Sequence, residues 1–179
     1  MSLAIVTNSI NAVVIALAVA SVGGVFSSTA TDMGAQGILD RYTQIQPKFV
    51  FAETEVSYNG KPVDLVPKLR QVLVELKDHG MQQAILLPSR ISGKEITIPD
   101  IPLGITLSSF LRSAKPGAPL EFEQLPFSQP LFILYSSGTS GKPKCIVHTA
   151  GVSDWQESSK SQADHSSYYR VSFYKRGKT

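Results

Sequence analysis

Nine residues between two apolar runs restrict what this chain can build more than any other feature: Ser136-Ser137-Gly138-Thr139-Ser140-Gly141-Lys142-Pro143-Lys144. The run LFILY at 131–135 reads as a strand leading in, and CIVH at 145–148 as a strand leading out. Small residues with free backbone N–H groups can fold into a nest that aims donors at an anion. Gly138 and Gly141 permit backbone angles and a close approach that a Cβ would obstruct. The hydroxyls of Ser136, Ser137, Thr139 and Ser140 add donors without bulk, and Lys142 and Lys144 add compact positive charge. The pattern is not a Walker A loop, because that motif has four residues between its glycines and opens a helix. By composition alone, a Ser/Gly surface turn fits equally well. The order of residues and their place directly after an apolar strand favour a phosphate site.

The rest of the chain supplies a sheet to carry this loop. A strand over 48–52 (KFVFA) follows Pro47, and a second over 84–87 (AILL) follows Gly80. Between them Leu65, Val66, Leu69, Val72, Leu73 and Leu76 recur at helical spacing, with Asp64 as N-cap and Gly80 just past the end. Strand, crossover helix, strand is a βαβ unit with parallel pairing, so the fold class is α/β, with sheets flanked by helices. Asn59-Gly60 predicts a turn or hairpin within 53–62. Short helices are expected over 35–42 and 107–114, and a turn is expected over 27–32. The stretch 91–102 reads as a loop or weak hairpin, and 115–119 as a Pro/Gly connector.

The first 31 residues carry no charged side chain. A membrane span needs about 20 apolar residues, and Asn8, Ser9 and Asn11 interrupt this stretch. A signal peptide needs a positive start, and no Lys or Arg precedes Arg41. The stretch therefore predicts a helix over 11–20, capped by Asn8 or Ser9, buried on most sides and ended by Gly23-Gly24. A buried strand should begin at Val25-Phe26. No membrane association is expected.

Charge narrows the function classes. The net charge is +3, yet residues 1–151 hold 12 basic and 11 acidic side chains, and 152–179 hold five and three. No stripe of Lys/Arg interleaved with aromatics appears, which argues against nucleic acid as a partner. Cys145 is the only cysteine and the three His are scattered, so no disulfide framework and no metal-ligand spacing exists. A reducing, cytoplasmic setting suits that composition. His148 reads as a packed strand residue, His79 as a solvated charge at a helix C-terminus, and Cys145 as a strand residue despite its lysine neighbours. Arg41 and Asp32 read as a structural ion pair, with coenzyme A binding as the alternative.

Ile133 through Lys144, ILYSSGTSGKPK, resembles the AMP-binding signature of the adenylate-forming superfamily, which includes acyl-CoA synthetases, luciferases and peptide-synthetase adenylation domains. The stretches LEFEQLPFSQ at 120–129 and FSSTATDMGAQGILDRYTQIQ at 26–46 are similar to the acetoacetyl-CoA synthetase branch, fungal forms in particular. The resemblance covers about 5–151. It implies an incomplete N-terminal domain of the adenylate-forming fold over 1–151. It also implies a two-step ligase reaction with ATP, Mg2+, acetoacetate and coenzyme A, these small molecules being its substrates. Ser136, Ser137, Gly138, Thr139, Ser140, Gly141, Lys142 and Lys144 would form the nucleotide-binding set, with Thr139 and Ser140 donating to phosphate and Lys144 balancing its charge. Lys142 falls on a variable position of the signature. The resemblance supplies no catalytic residue within this chain, since the adenylation lysine and the adenine, ribose and acyl contacts belong to other segments. The chain by itself is thus expected to be an inactive fragment. A ligase for acetate or another short acid is the alternative within enzymes, and a non-catalytic remnant keeping the loop is the alternative outside them. Residues 152–179 break from the pattern, being rich in Ser and holding the only Trp, Trp155. Val152-Ser153 can be encoded GTG-AGT, the form of a eukaryotic splice donor, so the tail is expected to be translated intron.

Overall fold

Four residues at the start of the chain, Ser-Leu-Ala-Ile, build the centre of the fold. The structure is a computed structural model and describes residues 1–96, 101–136 and 141–151. Strand β1 (Ser2–Ile5) is buried at every position and pairs in parallel with β2 (Phe26–Thr29) on one side and β3 (Phe49–Glu53) on the other. The expectations above assigned no strand here. Only four residues long, it has no room to show a period, and its identity follows from having a partner on both edges.

Around β1 the chain winds in both directions. Helix α1 (Ile10–Ser21) links β1 to β2, and α2 (Ala35–Tyr42) carries the chain back across to β3. A separate antiparallel hairpin, β4 (Glu55–Tyr58) and β5 (Lys61–Asp64), turns on Asn59 (φ 50°) and Gly60 (φ 73°), as the Asn-Gly pair predicted. Helix α3 (Val66–Asp78) leads to β6 (Gln83–Leu87), confirming the βαβ unit, and β7 (Gly104–Thr106) adds an unforeseen strand beyond it. Helix α4 (Leu107–Arg112) follows, capped by the Thr106 hydroxyl, which accepts from the Ser109 N–H at 3.1 Å. Strands β8 (Pro130–Ser136) and β9 (Lys144–Thr149) complete a seven-stranded sheet of order β7-β6-β3-β1-β2-β8-β9. Every pairing is parallel except β8 with β9.

Alternation along the central strands divides the core in two. Leu3, Ile5, Val50 and Ala52 face α2 and α3, where Ile38, Tyr42, Leu69, Val72, Leu73 and Leu76 bury almost completely. Ala4, Val6 and Phe26 face the other way, against Ile15 and Val19 of α1. Right-handed crossovers that run in opposite directions place their helices on opposite faces, as here.

Two expectations need correction. Helix α1 is not buried on most sides: Ile15 and Val19 are buried, but Ile10, Val13, Val14 and Leu17 are 82, 57, 56 and 66% exposed. A surface helix rests on one sheet face and buries one stripe, and among the described residues nothing covers the other. The turn expected over 27–32 begins later, because Phe26–Thr29 is paired strand and the chain turns at 30–33. No described helix is long and apolar enough to cross a membrane.

Candidate functional site

The expected phosphate loop hangs between the last two strands. In the β8–β9 ladder Tyr135 lies opposite Cys145 and Ser136 opposite Lys144, which leaves residues 137–143 as the connection. Strand β8 is fixed to β2 by the pairing of Phe132 with Phe26, and the buried Ser27 hydroxyl donates to the Ile133 carbonyl at 2.7 Å. The connection therefore leaves the carboxyl end of a strand that runs parallel to the sheet's centre, the edge at which α/β sheets take ligands.

Of the eight expected binding residues, Ser137, Gly138, Thr139 and Ser140 lie outside the described residues. Ser136 ends β8, half-buried. Gly141 has φ +118°, a conformation that glycine adopts without strain. Lys144 opens β9 and is exposed. Lys142, also exposed, lines an open groove of about 450 Å³ between α2 and α3, together with Asp40, Gln44, Glu75 and His79. The two lysines expected to act together thus have different settings, one at a strand end and one in the α2–α3 groove beside Asp40 and Glu75.

The end of α2 supports both stems of the loop. On the incoming side the Tyr135 hydroxyl donates to the Arg41 carbonyl at 2.7 Å. The Tyr135 ring meets Tyr42 edge-on, with centroids 5.5 Å apart, and the Arg41 guanidinium carbon lies 6.0 Å from the centre of the same ring. On the outgoing side the Gln44 amide donates to the Pro143 carbonyl at 3.2 Å. Burial pushes the Tyr135 phenol well above its ordinary value. Burial also pushes the Cys145 thiol up, against the smaller opposing effect of its hydrogen bond with Tyr135. Cys145 sits in β9 opposite Tyr135, the strand setting expected of it.

A second polar cluster marks the point where β1 and β3 lie side by side and their chains depart in opposite directions. Glu53, fully buried, accepts from the Thr7 N–H at 2.8 Å and the Thr7 hydroxyl at 3.0 Å, and Arg90 approaches the carboxylate at 3.9 Å. The turn after β2 has its own anchor: the Lys68 ammonium donates to the carbonyls of Thr31 and Met33. Burial lowers the Lys68 pKa, partly opposed by the nearby Asp32. Asp32 therefore has Lys68 beside it, while Arg41 donates to the Gly37 carbonyl at 2.7 Å and covers Tyr135. His148 pairs opposite Phe132 in β9, and the His79 ring lies 2.9 Å from the Glu75 carbonyl at the end of α3. Among the described residues no three His, Cys, Asp or Glu side chains are placed to hold a metal ion.

Gln44, the Arg41 carbonyl and the Thr7–Glu53 pair escaped sequence reasoning. Glu53 gave one usable signal, a carboxylate ending the apolar run FVFA, since a charge directly continuous with a buried strand needs a partner. Gln44 gave none, because it lies 99 residues from Pro143.

A family model described as AMP-binding enzyme matches residues 3–165. The chain is similar to the acetoacetyl-CoA synthetase of Danio rerio, 48% identical over 147 residues, and to that of Gallus gallus, 50% identical over 146 residues. Each match covers 80% of this chain and 22% of the relative. The solved acetoacetyl-CoA synthetase from Streptomyces lividans superposes with a TM-score of 0.72 at 35% identity, over 84% of this chain and 22% of that one. The chain thus spans about a fifth of the length of these relatives.

Proposed function

This chain belongs to the AMP-binding enzyme family, and from that premise we propose that it forms part of an acid–thiol ligase which activates acetoacetate with ATP and passes the acyl group to coenzyme A. The observation that carries this reading is the hydroxyl-, glycine- and lysine-rich loop at the carboxyl edge of the sheet, in a chain about half identical to acetoacetyl-CoA synthetases over most of its length. In the first step a carboxylate oxygen attacks the α-phosphorus of ATP, which enters with Mg2+ as substrate, and pyrophosphate departs. In the second the coenzyme A sulfur, having given up its proton to solvent, attacks the acyl carbon; the acyl C–O bond breaks and AMP departs with its electron pair. Ser136, Ser137, Gly138, Thr139, Ser140 and Gly141 offer donors to the β- and γ-phosphates, and Lys144 offers charge. That contribution is positioning and electrostatic stabilisation, the main protein share of such transfers. Lys142, beside the α2–α3 groove, is the weaker member of the set.

No residue of this chain is assigned a bond-making role. The adenine, ribose and acyl contacts and the adenylation lysine are assigned to the remaining four-fifths of the ligase length. The domain is taken as residues 1–151, with 152–179 as translated intron. Sequencing of spliced transcript across the Gly151 codon decides that boundary, and a transcript encoding the whole tail with no shorter form defeats it. A single cysteine, with no disulfide to form within the chain, supports a reducing, cytoplasmic setting.

The function is tested by acetoacetate-dependent exchange of labelled pyrophosphate into ATP, in the full-length ligase expressed from the genomic locus. Acetoacetate should support exchange better than acetate, and the 179-residue chain alone should release no AMP. Preference for acetate, or exchange without any acid, overturns the proposal.

A further inference from the structure

We propose that the end of helix α2 is a clamp for the phosphate loop, with Gln44 and Tyr135 as its positioning residues. The inference rests on the reading of that loop as a nucleotide site and adds to it the residues that hold it. The loop connects Ser136 to Lys144, and its two stems are tied to one place. The incoming stem is tied through the Tyr135 hydroxyl to the Arg41 carbonyl, and the outgoing stem through the Pro143 carbonyl to the Gln44 amide. Residues 41 and 44 lie within one turn of each other, so the two stems share a single reference point, about 95 positions away in sequence.

That reference point is itself held. Ile38 and Tyr42 bury against the sheet, and the Tyr42 hydroxyl donates to the Ser28 carbonyl on β2 at 2.7 Å. The Gln44 amide nitrogen also donates to the Asp40 carbonyl at 2.6 Å, so each of its two hydrogens has a carbonyl acceptor. One of these acceptors belongs to the last turn of α2, where carbonyls lack partners within the helix. The same amide thus joins the helix end to the loop stem. Pro143 has no N–H of its own, and its carbonyl belongs to the peptide that carries the Lys144 nitrogen. Fixing that carbonyl fixes the plane from which Lys144 departs. A short loop that must present several donors at once gains from stems held before the ligand arrives, because the ordering cost is then met in folding and not in binding.

The test uses two variants that keep side-chain volume in the full-length ligase: Gln44→Met, which removes the bonds to Pro143 and Asp40, and Tyr135→Phe, which removes the bond to Arg41. Each variant loses one neutral hydrogen bond to a loop stem, which predicts a roughly threefold to tenfold rise in the KM for ATP. The KM for the acid substrate and the melting temperature should hardly change. Hydrogen exchange should quicken in peptides covering 133–136 and 141–145 and stay unchanged in α3. An unaltered KM for ATP in both variants of an active enzyme overturns the clamp. So does an equal loss for both substrates accompanied by a lowered melting temperature, the signature of a merely structural role. The exchange measurement needs no turnover: if the parent enzyme shows no acetoacetate-dependent activity, the functional reading fails, and unchanged exchange at the stems would still refute the clamp separately.

Discussion

Removing the buried carboxylate of Glu53 should unfold the carboxyl edge of the sheet at lower temperature, by an amount that the local geometry bounds. Glu53 is fully buried, and its two oxygens accept from the Thr7 N–H at 2.8 Å and the Thr7 hydroxyl at 3.0 Å. Hydrogen bonds to a charged group contribute about 1.5–3 kcal/mol each, so the gross loss in Glu53→Ala is roughly 3–6 kcal/mol. Deleting the Cγ methylene adds about 0.8 kcal/mol. Against this stands the relief of a desolvated carboxylate, several kcal/mol in real proteins, which cancels a large part. Arg90 is 43% exposed and 3.9 Å away, and such a pair adds little in either direction. The net expectation is a destabilisation of about 2–4 kcal/mol. At roughly 2–4 °C per kcal/mol for a chain of this size, the melting temperature should fall by about 4–16 °C. Glu53→Gln keeps the volume and one acceptor and can turn its amide toward the Thr7 oxygen, so it should lose only about 1–2 kcal/mol, the charge-assisted share. Differential scanning calorimetry of the parent and both variants provides the measurement. A melting temperature for Glu53→Ala indistinguishable from the parent, or a larger loss for Gln than for Ala, refutes the assignment of these bonds as the tie between β1 and β3.

Three further outcomes follow from other parts of the molecule. In the full-length ligase Lys144→Ala should lower adenylation efficiency roughly tenfold to hundredfold, the equivalent of about 1.5–3 kcal/mol for a charged hydrogen bond; less than a twofold change in steady-state kinetics removes Lys144 from the site. The 179-residue chain alone should self-associate through the exposed Ile10, Val13, Val14 and Leu17 stripe, since covering four such side chains is worth about 4–8 kcal/mol; Val13→Lys with Leu17→Glu should shift sedimentation toward monomer, and a parent chain already monomeric at high micromolar concentration contradicts this. Stability should fall as pH rises above 9, because Cys145 and Tyr135 have folded-state pKa values raised from 9.0 and 10.0: the unfolded chain gives up these protons first, so folding stability is intact below the unfolded values and lost above them. Cys145→Ala should remove the earliest part of that loss in alkaline urea titrations, and identical curves for parent and variant would count against a raised thiol.

What the residues alone determined was local. Helix α2 emerged with the bounds expected for it, and the hairpin turn at Asn59-Gly60 formed because positive φ is cheapest at those two residue types. The α3 helix and its flanking strands were visible because apolar spacing of 3.6 and compact apolar runs are properties of adjacent residues. The proposal of a phosphate site rests on equally local features, the loop's composition and order, since a nest is built from consecutive backbone groups. Of its eight members, the structure describes Ser136, Gly141, Lys142 and Lys144.

Tertiary structure alone decided everything that depends on partners far away in sequence. SLAI at 2–5 is too short to declare itself, and it became the central strand because β2 and β3 both supply hydrogen bonds to it. The uncharged N-terminal helix could not reveal how much of it would be covered, since burial depends on what packs there and not on the helix. Glu53 found its donors 46 residues back in the chain, and Pro143 found Gln44 a further 99 residues from its own place. A hydrogen bond acts over about 3 Å in space and has no range in sequence, so only the folded chain could bring the end of α2 to the stems of the loop.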